Sequence, residues 1–152
     1  MCSPFHRHIF LSVGVDGTLR VRSVLEKQPL ISATSIIDRT EHSCMPVALY
    51  AADWSKIRPL VFAVAGDDGI VRIYDLSNTQ SMIPAAELDI PVVSNSTRSR
   101  ICALQFNPKQ RDFFACGDAD GHIHIWQLSW GLSNAGPFEQ GLLQSYIERT
   151  EQ

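Results

Sequence analysis

The sequence predicts an all-β protein assembled from one four-stranded antiparallel unit used in tandem, and three observations predict it. First, three segments repeat: DGTLRVRSV from Asp16, DGIVRIYDL from Asp68 and DGHIHIWQL from Asp120. Their glycines, Gly17, Gly69 and Gly121, fall at a constant interval of 52 residues. A fixed period of that size marks one supersecondary unit used repeatedly. Second, strict alternation follows each Asp-Gly. Val71 and Ile73 point one way and Ile70, Arg72 and Tyr74 the other; Ile123 and Ile125 oppose His122, His124 and Trp126. Period two is the strand signature, and Asp-Gly between β-branched runs is a hairpin signal, because glycine accepts a positive φ. Third, the apolar content is 45%, enough for a core, yet nothing inside the repeats has helical spacing.

The elements follow in order. Short apolar strands precede the three turns, at Ile9 to Val13, Leu60 to Ala65 and Phe113 to Cys116. They are apolar on both faces and are expected to be buried on both sides. Val47 to Trp54 and Ile101 to Phe106 each supply an earlier strand ending in an aromatic residue. Trp54 and Phe106 are again 52 apart. The loops after them, Ser55 to Pro59 and Asn107 to Gln110, hold proline and asparagine, which set turns. Outer strands are expected at Pro29 to Thr34 and Ala85 to Ile90. Beyond Ser129, Gly131, Ser133-Asn134 and Gly136-Pro137 break structure. Phe138, Leu142, Leu143, Tyr146 and Ile147 then recur at near-helical spacing, which predicts a short amphipathic helix docked on its own sheets or on a partner.

Composition narrows the function. With 13 basic and 16 acidic residues the net charge is −3, without the basic excess of a nucleic-acid surface. No apolar run approaches the roughly 18 residues that span a bilayer. Ile9 to Val15 runs straight into the first Asp-Gly turn, so it reads as a strand rather than a signal core. None of Cys2, Cys44, Cys102 and Cys116 has zinc-finger spacing; Cys102 and Cys116 are expected on neighbouring strands of one sheet as buried free thiols, with a disulfide between them the alternative.

Tandem sheets buried on both faces stack around an axis as propeller blades. Here the residues resemble the WD-repeat family, whose consensus has a Gly-His before the first strand, an Asp-Gly turn and an aromatic-Asp closing the third strand. Tyr74-Asp75 matches the closing pair, Trp126-Gln127 half matches, and Arg22-Ser23 does not. His42 stands at the family's histidine, with Glu41 in place of the glycine. The residues carrying the repeat are therefore Asp16, Gly17, His42, Trp54, Asp68, Gly69, Tyr74, Asp75, Phe106, Asp120, Gly121 and Trp126. The expected product is a partial WD-repeat β-propeller of about two and a half blades, against roughly four to eight in a closed ring. Blades are expected near residues 5–40, 42–92 and 98–129, forming a propeller segment over 1–129, with a tail over 130–152. The chain opens at a second strand, as though its first were cut away, and reads as the C-terminal part of a larger propeller.

Longer runs are similar to the dynein intermediate chains, and among them those of the ciliary cytoplasmic dynein, cytoplasmic dynein 2. They are His6 to Ser12, Asp53-Trp54-Ser55 with Arg58 to Ala63, Leu104 to Asn107, Ala115 to Gly121 and Ile125 to Ser129. The resemblance implies a non-catalytic scaffold, without cofactor or metal, in the motor of retrograde intraflagellar transport. It implies a cytoplasmic and cytoskeletal protein of the cilium, at the axoneme and basal body. The implied partner is the tail of a dynein heavy chain. Other intermediate and light chains would be reached through regions absent here, and neither nucleic acid nor membrane is a partner. The alternative is a WD-repeat protein-interaction adaptor unrelated to dynein.

The remaining constellations have structural explanations. Asp67-Asp68 and Asp118-x-Asp120 are expected in hairpin turns, where aspartate caps its own backbone. Position 124 aligns with Arg20 and Arg72, so His122 and His124, like His6 and His8, are expected at a blade edge; two imidazoles lack the third ligand a metal needs. The rim loops carry the partner-binding expectation: Arg98 and Arg100 before one blade, Arg39 and Glu41 before the previous one.

Overall fold

The computed structural model describes residues 1–34, 36–38, 44–78, 83–91 and 98–148. Three antiparallel sheets stand side by side. The first holds β1 (Ile9–Val13), β2 (Thr18–Ser23) and β3 (Ile31–Thr34). A two-stranded ribbon, β4 (Ile36–Asp38) with β5 (Cys44–Pro46), follows it; nothing in its sequence alternates long enough to announce it. The second sheet is complete, with β6 (Leu49–Trp54), β7 (Val61–Gly66), β8 (Ile70–Asp75) and β9 (Ala86–Asp89) paired in that order. The third holds β10 (Ile101–Phe106), β11 (Phe113–Asp118) and β12 (Ile123–Gln127). Among the described residues no sheet closes into a barrel, and the arrangement is consistent with a partial propeller.

The turns fold as their residues demand. Gly17, Gly69 and Gly121 have φ of 75°, 67° and 88°, a region open to glycine and strained for other residues. Asp16 Oδ1 accepts from the Thr18 amide at 3.1 Å and the Thr18 hydroxyl at 2.6 Å. Asp68 Oδ1 accepts from the Ile70 amide at 3.3 Å. In the third turn this task passes to Asp118, whose Oδ1 accepts from the amides of Asp120 at 3.0 Å and His122 at 2.8 Å.

At both sheet–sheet contacts an aromatic face of the later sheet meets an aliphatic face of the earlier one. Across the second sheet, Trp54 pairs with Phe62 and Phe62 with Tyr74, with ring centroids 5.6 and 5.4 Å apart. This face meets Ile9, Leu11, Leu19 and Val21 of the first sheet in one apolar core. The opposite face, Val61, Ala63, Ala65, Val71 and Ile73, meets Phe106, Phe114 and Ile101 of the third sheet in another. Burial on both sides therefore holds for β7, in which every residue is buried. It does not hold for β1 and β11, which alternate. The reason is their place in the stack: each end sheet has one sheet-covered face. On the uncovered face of the third sheet, Ile123 and Ile125 are 76% and 72% exposed.

Met1–Ser3 run along the free edge of β1 in the three-stranded first sheet. Met1 and Leu11 exchange two bonds of 2.8 Å and the Ser3 amide donates to the Ile9 carbonyl at 2.9 Å. Burial is corrected for one thiol of the pair: Cys102 and Cys116 are both free, but Cys116 is buried and Cys102 exposed, as is free Cys2. Cys102 lies on a β10 position that faces outward from the core.

The tail is helical as its spacing predicts. A single turn, α1 (Trp130–Ser133), leads into α2 (Glu139–Glu148). Of the two docking alternatives, the structure takes the chain's own sheets: Leu143 is 5% exposed and enters the core shared by the first and second sheets. Phe138 and Leu142 stay exposed.

Candidate interaction surface

The meander gives the sheets two working ends. The β7–β8 and β11–β12 turns and the loop entering β10 lie at the hairpin end. The β6–β7 and β10–β11 loops and the tail lie at the other.

At the hairpin end, residues 98–100 run over the second sheet's turn. An added Cβ on Gly69 would stand 2.8 Å from the Ser99 carbonyl oxygen, so glycine lets the loop settle there. Arg98 Nη2 lies 3.2 Å from Asp89 Oδ2, and Arg100 Nε lies 4.0 Å from Asp67 Oδ1. The Arg100 guanidinium also lies 5.9 Å from the ring centre of half-exposed Tyr50. These ion pairs are exposed and contribute little to stability. An arginine held beside a half-exposed tyrosine, with a second arginine two residues away in the same loop, is instead suited to protein contact, where arginine and tyrosine are favoured anchors. Arg100 is thus brought to Tyr50, a residue with no signal of its own in the sequence, while Arg98 pairs with Asp89. Arg39, Glu41 and His42 lie outside the described residues.

The repeat residues are placed in the core and turns. Trp54 is fully buried and its indole donates to the Pro59 carbonyl at 2.8 Å. Phe106 and Phe114 repeat the aromatic contact at 5.6 Å, with Trp126 next in register. Arg20 and Arg72 each pair with the aspartate four residues before, Asp16 at 3.7 Å and Asp68 at 2.5 Å. Burial works against the Arg72 charge. Hydrogen bonding to Asp68, with the charges of Asp68 and Glu87, outweighs it and raises its pKa.

Two charged residues matter more to the architecture than the repeat pattern indicates. Asp53, fully buried, accepts from the Trp54 amide and the Lys56 ammonium, each at 2.8 Å. Its other oxygen accepts from the Phe106 amide at 2.8 Å, joining the second sheet to the third. Arg58 anchors the opposite end. Its Nε and Nη2 grip Glu139 at 2.6 to 3.1 Å, and its Nη1 reaches Asp75 Oδ2 at 2.8 Å and the Gly131 carbonyl at 2.6 Å. Burial opposes its charge, but Glu139 and Asp75 prevail and raise its pKa. Asp75, the aspartate of the Tyr74-Asp75 pair, therefore serves as one jaw of a clamp on the tail. No local pattern announces this, since Arg58 and Glu139 are 81 residues apart.

Residues 91–127, which span the third sheet's three strands, match the WD40 family, described as WD domain, G-beta repeat. The chain carries a WD40 repeat and is similar to dynein intermediate chains. It is 38% identical over 138 residues to mouse cytoplasmic dynein 2 intermediate chain 2 and 37% identical to the human protein. That similarity covers 91% of this chain and 23% of each relative, in the relative's C-terminal region. The chain is also 29% identical over 147 residues to dynein axonemal intermediate chain 3 of Macaca fascicularis, covering 97% of this chain and 15% of that one.

Proposed function

We propose that this WD-repeat chain is a non-catalytic scaffold of a dynein motor, and that its partner is the tail of a dynein heavy chain. The observation that carries the reading is the continuous similarity to cytoplasmic dynein 2 intermediate chain 2 over 91% of the chain. It runs through core, turns and rim alike. In this reading the motor is that of retrograde intraflagellar transport and the chain resides in the cytoplasm and cilium, at the basal body and axoneme. Residues 1–129 form the propeller segment and the hairpin end, with Arg98 and Arg100, faces the heavy chain. Arg39 and Glu41 are assigned to the same rim.

The test is immunoprecipitation from ciliated cells with an antibody to residues 130–152, read by mass spectrometry. Recovery of a dynein heavy chain supports the scaffold reading; its consistent absence refutes it. Charge reversal, Arg98→Glu with Arg100→Glu, is expected to reduce recovery of the heavy chain. Undiminished recovery would refute the rim assignment while leaving the scaffold reading standing.

A further inference from the structure

The third hairpin carries a cluster that the repeat does not call for. Positions 52 apart show this: Gly14 and Gly66 are followed by Asp118, Thr18 and Ile70 by His122, and Arg20 and Arg72 by His124. Two of the three changes replace a non-coordinating residue with a metal-ligating one, and the third replaces an arginine with an imidazole. All three fall at one corner.

The side chains converge. Asp118 Oδ2 lies 3.3 Å from His122 Nδ1 and 3.1 Å from His124 Nε2. The Asp120 carboxylate, Asp118 and His122 offer ligand atoms that all lie within 4.8 Å of one another. Metal–ligand bonds of about 2.0–2.1 Å make the edge of a zinc tetrahedron roughly 3.3–3.4 Å, close to both Asp118–histidine separations. Asp118 is also held in place: its side chain is 4% exposed, and its Oδ1 is occupied by the Asp120 and His122 amides at 3.0 and 2.8 Å. This leaves Oδ2 aimed at the imidazoles, the fixed orientation that a ligating carboxylate requires. His122 is half exposed and gives an ion a path from solvent. The sequence reading set the histidine pair aside for want of a third ligand, and the fold brings one.

We propose that Asp118, Asp120 and His122, with His124 beside them, bind a divalent transition-metal ion of the zinc class at the hairpin end of the third sheet. His122 supplies Nδ1, Asp118 Oδ2 and Asp120 a carboxylate oxygen, and the fourth position goes to His124 or water. An imidazole must be deprotonated to ligate a metal, so uptake weakens as pH falls.

The experiment uses the untagged full chain, stripped with chelator and titrated with zinc chloride by calorimetry and by imidazole nitrogen NMR. The expected result is saturable uptake of one ion with shifts at His122 and His124. His122→Gln, a change at a half-exposed side chain, should weaken binding by about tenfold or more. Its far-UV circular dichroism should match the parent. His6→Gln with His8→Gln should leave the affinity unchanged. Absence of saturable uptake, an affinity indifferent to His122→Gln, or loss of binding on removing His6 and His8 would each overturn the proposal.

Discussion

Replacing Arg58 with methionine should unlatch the tail and destabilise the chain. The arginine side chain is 5% exposed, and Asp75 and Glu139 are each 8% exposed. The substitution keeps most of the volume but removes every partner of the Glu139 carboxylate that Arg58 supplies, and the Asp75 Oδ2 contact with it. Two carboxylates would then be buried without their cation. Breaking a buried ion pair in this way costs about 3–5 kcal/mol, which for a chain of this size corresponds to a fall in Tm of about 6–20 °C. Thermal melting by circular dichroism measures the loss. Hydrogen exchange at the amides of 139–148 locates it, since among the helix's described side chains Leu143 alone remains in the core once the clamp is gone. Glu139→Leu alone should cost less than Arg58→Met, because Arg58 retains Asp75 and the Gly131 carbonyl. The double variant should cost less than the sum of the two. A melting temperature for Arg58→Met within about 2 °C of the parent, near what a ΔΔG below 1 kcal/mol would give, would refute the clamp. So would unchanged protection of the tail amides.

Three further outcomes follow from the geometry. Gly66→Ala drives a methyl into the Ala48 carbonyl and should exceed the usual overpacking loss of about 1–3 kcal/mol. Gly117→Ala, whose nearest neighbour is 3.9 Å away, should stay within about 0.5 kcal/mol; equal melting curves for the two would contradict this. The Asp16 carboxyl titrates below its ordinary range, chiefly because Thr18 hydrogen-bonds it through side chain and backbone, with Arg20 adding to the effect. A pKa lowered on folding means that its contribution is complete above the unfolded value and lost as pH falls through the lowered one. Carbon NMR should show that midpoint rising in Thr18→Val, and an unmoved midpoint would refute the assignment. Finally, burial raises the pKa of the Cys116 thiol, so native-state iodoacetamide should label Cys2 and Cys102 and reach Cys116 only after denaturant. Labelling of Cys116 at the rate of Cys102 would count against the core placement.

Much of this architecture was legible because its causes are local. Asp-Gly requires only a positive φ and a nearby carboxylate, and all three turns form where the pairs stand. Alternation requires only the pleat, so β8 and β12 fall on the alternating runs. The amphipathic spacing after Pro137 likewise produced a helix. What failed depended on neighbours. Val61 and Phe113 are both apolar residues one strand before an Asp-Gly turn, yet one is fully buried and the other is not. Cys102 and Cys116 look alike in sequence and differ in exposure because alternate positions of a strand face opposite ways. The candidate site divides in the same manner. Arg98 and Arg100 announce themselves as charges in a loop, whereas Tyr50 of β6 meets Arg100 only through the fold.

By itself, then, the sequence determined the unit: its period of 52, its strands, its turns and its kinship, since each arises from contacts between residues near in the chain. Tertiary structure alone decided which faces are covered and where the tail docks. It alone brought Asp53 of the second sheet to the Phe106 amide of the third, and Arg58 to Glu139. It also set Asp118 against two histidines that no other repeat possesses. Burial and long-range charge pairing depend on what the fold places opposite a residue, and that is not written beside it in the chain.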